Sequence, residues 1–377
     1  MPPLAPPFKK VLIANRGEIA CRIERACHAL GCQCVAVYVQ GEEMAPHIKA
    51  CDNSLLIGSG VRAYLDVSTI VKAAVDSGCD ALHPGYGFLS ESWELAEACG
   101  KAGVKFIGPS PSVLRAFGDK TAARNMAIRS EVPVSKGSTG IVKDVSTCES
   151  EVSRLGLRYP VVVKAVGGGG GRGMRVVSSS SGLKAAFERC TAEALASFGN
   201  GDVFVEEWWA NSKHIEVQVL GDTTGHVSHA YTRDCSVQLR NQKVVEIAPP
   251  QVISFSIILF LCTAACGLAK VSGYVTVGTV EFLMAKGGKD FIFLEVNPRI
   301  QVEHTVTEEA FGIDLVQTQM KLAAGEPLKA VFPPSPPSPI ACAIQARVVW
   351  TPAPGGKSMI DKYRWAISSQ WLIGFMK

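Results

Sequence analysis

Neither sign of charge dominates this chain. Its 377 residues carry 38 Lys and Arg against 34 Asp and Glu, a formal balance of +4. A surface built for a polyanion concentrates far more positive charge, so no nucleic-acid partner is expected, although local basic patches for phosphate stay open. Paired metal-ligand motifs are also missing. There are 13 cysteines and no Cys-x-x-Cys pair; Cys32 and Cys34 come nearest. Most of them, such as Cys21, Cys27 and Cys99, sit among apolar residues. They read as small buried hydrophobes in a reducing compartment, with no structural zinc. The start, Met1-Pro-Pro-Leu-Ala-Pro-Pro7, lacks the apolar core of a signal peptide and any Arg-rich amphipathic pattern. Cytoplasm and mitochondrial matrix both remain open. Only one long apolar run occurs, Val252 to Leu268. Its length is marginal for a membrane span, and it lies between segments that must share one aqueous site. It therefore reads as a buried helix, with no membrane partner.

What is present is a packed protein: 47% apolar residues against 19% charged exclude a disordered chain, and the length suggests two or three domains. Val11 to Ala14, Cys34 to Tyr38, Asp80 to His83 and Lys105 to Gly108 are short apolar strands. Helical stretches such as the run up to Leu30 and Ile70 to Gly78 lie between them. That alternation predicts a doubly wound parallel first domain. A helical connector follows around Lys120 to Ser130. Strands Tyr159 to Ala165 and Met174 to Val177 then flank a glycine-rich loop, and a helix over Leu183 to Phe198 leads to the strand Val203 to Glu207. In His214 to Leu220 the alternation puts His214, Glu216 and Gln218 on one side. Pro333 to Pro339 is a loop or stiff linker.

The densest chemistry lies between Glu281 and Glu303. From 295 to 303 every second residue is polar: Glu295, Asn297, Arg299, Gln301 and Glu303. On an extended chain these would point one way. Two carboxylates, an amide and a guanidinium suit a divalent cation, phosphate and a small anion held side by side. Pro298 has no amide proton, so regular pairing is expected to stop there. The plainer alternative is an amphipathic edge strand.

Gly168, Gly170 and Gly173 formally satisfy G-x-G-x-x-G. A dinucleotide fingerprint needs strand, turn and helix in succession, whereas this loop joins two strands. A flexible hairpin whose amides close over phosphates is the expectation, with Lys164 and Arg172 beside it to neutralise charge; a plain mobile hairpin is the alternative. Glu206 and Glu207, followed by Trp208 and Trp209, mark a candidate adenine slot.

Together these segments resemble the biotin carboxylase component of biotin-dependent carboxylases, a branch of the ATP-grasp fold. The resemblance runs over about residues 8–345. It rests on Val11-Leu-Ile-Ala-Asn-Arg-Gly-Glu-Ile-Ala20, His83-Pro-Gly-Tyr-Gly-Phe-Leu-Ser-Glu91, Phe106-Ile-Gly-Pro-Ser110, Gly118-Asp-Lys120, Val163-Lys-Ala165 and the Gly167–Gly173 loop. It continues through His214-Ile-Glu-Val-Gln-Val219, Arg233-Asp-Cys-Ser236, Gln242-Lys-Val-Val-Glu246 and Phe293-Leu-Glu-Val-Asn-Pro-Arg-Ile-Gln-Val-Glu-His304. It implies an α/β architecture: a Rossmann-like domain over 8–118, a connector over 119–135, a lid over 136–207 and a catalytic subdomain over 208–347. A divergent tail over 348–377 follows, with the C-terminal subdomain incomplete.

The activity implied is ATP-dependent carboxylation of biotin by bicarbonate through carboxyphosphate. By position, Lys120, Lys164, Gly168, Gly169, Gly170, Glu206, Glu207, Trp209, His214, Gln238 and Asn241 would surround ATP. Glu281, Glu295 and Asn297 would hold Mg2+ or Mn2+. Lys243, Arg299, Gln301 and the Val302 backbone would grip bicarbonate and biotin. Glu303 would be the base, with Arg299 and Lys243 assisting. Biotin would arrive on a carrier domain, and the chain would belong to a homo-oligomer or a larger carboxylase. A catalytically inactive module and another ATP-grasp ligase, such as a urea carboxylase, are the competing readings. Three departures stand out. Leu239, Arg240 and Asn241 replace the family's Arg-Arg-His, Ser254 to Cys266 is apolar where a polar helix is usual, and the match decays after Arg347, so that an arginine expected near biotin is missing.

Overall fold

The structure, a computed structural model, describes residues 5–167, 173–239, 241–288, 290–333 and 338–347. The first sheet is parallel, in the order β3-β2-β1-β4-β5, from β1 (Lys10–Ile13), β2 (Gln33–Val39), β3 (Asn53–Gly58), β4 (Ala81–His83) and β5 (Lys105–Phe106). Central β1 is Lys-Val-Leu-Ile, and its Val11, Leu12 and Ile13 are fully buried. Strands covered on both faces need such uninterrupted apolar runs. The helix Gly17–Ala29 follows β1 and turns Ile19, Ala20, Ile23, Ala26 and Cys27 inward at helical spacing. Edge strand β3 was not foreseen, because Asn-Ser-Leu-Leu-Ile-Gly is short and largely exposed.

A small antiparallel sheet, β7-β6-β8, comprises β6 (Val161–Ala165), β7 (Met174–Val177) and β8 (Val203–Glu207). The loop between β6 and β7 joins antiparallel neighbours, as a hairpin requires. Its residues 168–172, including Gly168, Gly169 and Gly170, lie outside the described residues.

The third sheet runs β13-β12-β9-β10-β11-β14 and is antiparallel throughout. Its strands are β9 (Lys213–Gly221), β10 (Val227–Leu239), β11 (Gln242–Ala248), β12 (Thr276–Met284), β13 (Phe291–Asn297) and β14 (Ala343–Ala346). Period-two patterning splits β9. Ile215, Val217 and Val219 pack against the helices Phe255–Val271 and Lys120–Arg129, and His214, Glu216 and Gln218 fall to the other face. A further core joins this sheet to the first domain, bringing Val11 and Ile19 together with Leu220, Val277, Ile300 and Leu315.

The apolar 252–268 segment folds as the helix Phe255–Val271, but it is buried on one side only. Ile258, Leu261, Cys262, Ala265 and Leu268 face the sheet, and Phe255, Leu259 and Phe260 face outward. Cys21 is likewise half-buried rather than buried. Among the described residues no helix is long and apolar enough to cross a membrane.

Strand β9 closes against the turn that precedes β12. A Cβ added at Gly221 would lie 2.1 Å from the Tyr274 carbonyl oxygen, which is backbone and cannot swing away. Gly221→Ala is therefore expected to destabilise the fold by about 1–3 kcal/mol. Urea unfolding of the variant beside the parent chain measures this, and an unchanged midpoint contradicts the packing described.

Candidate active site

The polar face of the third sheet is organised around one ammonium group. Lys243, on β11, reaches Glu281 Oε1 at 2.8 Å and Glu303 Oε1 at 2.7 Å, and also bonds Glu216. All three carboxylates are 2% exposed or less. Burial on its own would push Glu216 upward; Lys243 and Arg233 nevertheless hold it down at about 2, against the like charge of Glu281. Burial likewise opposes ionisation of Glu281, and Lys243 and His214 bring it well below the ordinary carboxylate range. Lys243 is desolvated, which disfavours its charge, but Glu216, Glu281 and Glu303 more than offset this and raise it well above an ordinary lysine. His214 Nε2 lies 2.7 Å from Glu281 Oε2. Burial disfavours its cation, yet Glu281 and Glu216 raise it to about 10, so the imidazolium is charged at neutral pH.

Arg233 is the second cation and has no exposure. Its guanidinium donates to Glu216 Oε2 (3.1 Å), Gln218 Oε1 (2.8 Å), Thr279 Oγ1 (3.0 Å), Thr307 Oγ1 (3.1 Å) and Gln301 Oε1 (2.8 Å). A planar fork of five donors is the only side chain that can satisfy so many acceptors at once. Gln301 is thereby fixed and donates through Nε2 to Glu281 Oε1 at 2.9 Å, as Asn297 Nδ2 does at 2.7 Å.

The alternating run therefore converges, though not as one strand. Glu281 and Glu295 are register partners across β12 and β13. β13 ends at Asn297, before Pro298, and the chain then turns until Glu303 precedes the helix His304–Phe311. Arg299 donates to Asn297 Oδ1 at 2.8 Å and, across to the first domain, to Glu91 Oε1 at 2.6 Å. Val302 is half-buried in the turn beside Gln301.

A cleft of about 570 Å³ opens between the small sheet and the third one. Lys120, Arg124, Ser135, Lys164, Glu206, Glu207, Trp208, Trp209, Leu283 and Leu294 are among its lining residues. Asp119 caps the helix Lys120–Arg129 by accepting from Thr121 and Ala122, which puts Lys120 at its first turn. Lys120 Nζ stands 3.5 Å from Glu295 Oε2. Lys164 pairs with buried Glu206, whose other oxygen accepts from Ser135 Oγ at 2.6 Å. Lys120, Lys164, Glu206, Glu207 and Trp209 thus share one cleft, as expected. Gln238 joins His214, its Nε2 lying 3.1 Å from Nδ1. Asn241 is instead an exposed turn residue between β10 and β11 with φ of 64°, a left-handed conformation that asparagine tolerates better than most residues.

The resemblance left an arginine expected near biotin unaccounted for after Arg347; the structure sets Arg347 itself at the polar face, its Nη2 2.7 Å from Glu303 Oε2 and its Nε 2.6 Å from Glu246 Oε1. The backbone N–H of Arg347 donates to Val244 O at 2.8 Å, holding it beside β11. Arg233, Glu216 and Glu246 were likewise not assigned to the site. Their signal was weak: polar residues within strands whose partners lie up to 101 residues away.

Residues 7–114 match the family model "Biotin carboxylase, N-terminal domain", and residues 119–331 match "Carbamoyl-phosphate synthase L chain, ATP binding domain". Mitochondrial pyruvate carboxylase of Rattus norvegicus is 48% identical over 346 residues, 91% of this chain and 29% of that protein. Pyruvate carboxylase of Bacillus subtilis is 48% identical over 324 residues, 85% of this chain and 28% of its own. The chain thus spans less than a third of these relatives' length. The biotin carboxylase domain dimer of Hydrogenobacter thermophilus 2-oxoglutarate carboxylase, solved with MgADP, ADP and bicarbonate, superposes with a TM-score of 0.86. It is 42% identical, and the match covers 90% of this chain and 74% of that one. Biotin carboxylase from Campylobacter jejuni, in a β-γ-ATP complex, gives a TM-score of 0.86 at 36% identity, over 95% and 85%.

The charge cluster generates a pH-dependent expectation. Lys243→Met leaves Glu216, Glu281 and Glu303 without their shared cation, at a cost of about 3–5 kcal/mol. In the parent chain the depressed value of Glu216 contributes stability above its unfolded value, and that stability is lost as pH falls toward 2. In the variant a buried carboxyl is raised instead and binds a proton more tightly folded than unfolded. The deficit should therefore be largest near pH 8 and shrink toward pH 5. Urea midpoints across that range test it, and a deficit independent of pH contradicts the assignment. Sequence, fold and the ordered polar face agree: the chain belongs to the biotin carboxylase family of ATP-grasp ligases.

Proposed function

We propose that the chain carries out ATP-dependent carboxylation of biotin by bicarbonate through carboxyphosphate, as the biotin carboxylase part of a biotin-dependent carboxylase. The observation that carries this reading is the convergence of Lys243, Glu303, Arg299 and Gln301 beside two cross-strand carboxylates. ATP would lie in the cleft, its adenine against Glu206, Glu207 and Trp209 and its phosphates near Lys120, Lys164 and His214. Gln238 would act through its contact with His214, and Asn241 would approach from the turn that leads into β11.

Phosphoryl transfer requires positioning and neutralisation more than a nucleophilic side chain, which suits this set of cations. Glu281, Glu295 and the Asn297 amide oxygen are hard oxygen donors of the kind Mg2+ or Mn2+ takes. They would hold such an ion, which would supply positive charge to offset that of the phosphates. Lys243, Arg299, Gln301 and the Val302 backbone would bind bicarbonate. Glu303 would take its proton, with Arg347 and Lys243 holding that carboxylate in place. Arg299 would then steady the enolate of biotin, presented on a carrier domain. The MgADP and bicarbonate of the Hydrogenobacter relative, and its dimeric state, support the same ligands and a homodimer here. The pyruvate carboxylases among the relatives favour a larger carboxylase as the setting.

The test is bicarbonate-dependent ATP hydrolysis, with and without free biotin. Biotin should stimulate the parent chain. Glu303→Gln should lower the bicarbonate-dependent rate by about 10²–10⁴-fold while nucleotide affinity is kept. Nucleotide binding without turnover in the parent chain would instead identify an inactive module.

A further inference from the structure

A second cluster of metal-ligating side chains lies in the first domain, apart from every residue used above. It draws on three elements: His28 at the end of the helix Gly17–Ala29, Cys34 near the start of β2, and Asp52 just before β3. One donor atom from each falls within 4.8 Å of the others. Cys34 Sγ is 3.6 Å from His28 Nε2, and Asp52 Oδ2 is 3.2 Å from the same nitrogen.

These spacings carry chemical information. Zinc binds thiolate at about 2.3 Å, imidazole at about 2.0–2.1 Å and carboxylate at about 2.0–2.2 Å. At a tetrahedral angle those lengths place sulfur and nitrogen about 3.6 Å apart, and nitrogen and oxygen about 3.4 Å apart. The donors already stand near those separations. The surroundings match as well. His28 Nδ1 lies 2.7 Å from Glu24 Oε1, which turns Nε2 toward the cluster, the arrangement by which a carboxylate orients a metal-bound histidine. Asp52 Oδ2 is fixed by accepting from the Cys34 backbone N–H at 2.7 Å. Cys34 is fully buried, and the side chains of His28 and Asp52 are 42% and 37% exposed, which leaves an entry path on one side.

We propose that His28, Cys34 and Asp52 form a binding site for a divalent transition-metal ion of the zinc class, three-ligated, with the fourth position open to water. Binding ties helix, sheet and the lead into β3 together. The cluster escapes a search for Cys-x-x-Cys because its ligands sit at 28, 34 and 52, and folding alone unites them.

The experiment uses the reduced, metal-free full chain, titrated with Co2+ alone. The expected result is a sulfur-to-cobalt charge-transfer absorption together with the strong visible bands of four-coordinate cobalt, both removed by added Zn2+. His28→Gln, at a half-exposed position that should not disturb folding, is expected to weaken binding at least tenfold, and Glu24→Gln by roughly 10–100-fold. Cys34→Ser should abolish the sulfur band. Cys235→Ser should leave it intact; that thiol lies with Glu216 and Glu303 in the other site. Absence of a sulfur band, a band unaffected by His28→Gln, or one lost only with Cys235→Ser would overturn the proposal. The readout is spectroscopic and independent of the carboxylation reading.

Discussion

One ammonium among three buried carboxylates sets the terms for the rest of this structure. Lys243 is the contact shared by Glu216, Glu281 and Glu303, and each of those acids is shut away from water. Carboxylates so placed repel one another unless cations stand between them, because a low-dielectric interior does not screen. Arg233, His214 and Arg347 complete the balance from neighbouring strands. The cluster is weak evidence for stability, since desolvation consumes much of the Coulombic gain. It is better understood as pre-organisation: charged side chains that hold one another in fixed positions.

An antiparallel sheet suits this work. Neighbouring strands run about 4.8 Å apart, so polar residues on successive strands stand close enough to form one connected network of acids and bases. β9 supplies His214, Glu216 and Gln218, β10 Arg233, β11 Lys243, β12 Glu281 and β13 Asn297. The opposite face of β9 carries Ile215, Val217 and Val219, held by two helices, which keeps the charged row from shifting. The first domain adds Glu91, whose bond to Arg299 spans 208 residues of sequence.

Much of this was legible in the residues themselves. The apolar runs of β1 and β2 and the alternation of His214, Glu216 and Gln218 are local signals, and local physics decides them. The convergence of Glu281, Glu295, Asn297, Arg299, Gln301 and Glu303 was legible too. The break in pairing at Pro298 was legible as well, and the turn beyond it brings Gln301 and Glu303 inward. Arg233 and Arg347 escaped notice because a buried arginine is defined by its partners, and theirs come from distant segments. The Phe255–Val271 helix misled in the other direction, since apolar side chains alone do not reveal that one side faces outward. Asn241 looked like an altered nucleotide contact, whereas its backbone gives it a turn residue's reason to be there.

The placement of Arg347 has a temporal consequence. Glu303 and its arginine are separated by 44 positions, and ribosomes deliver residues in order. A nascent chain therefore holds its acidic centre short of one positive partner until β14 zips onto β11. Completion of this charged cluster therefore waits on the docking of an edge strand.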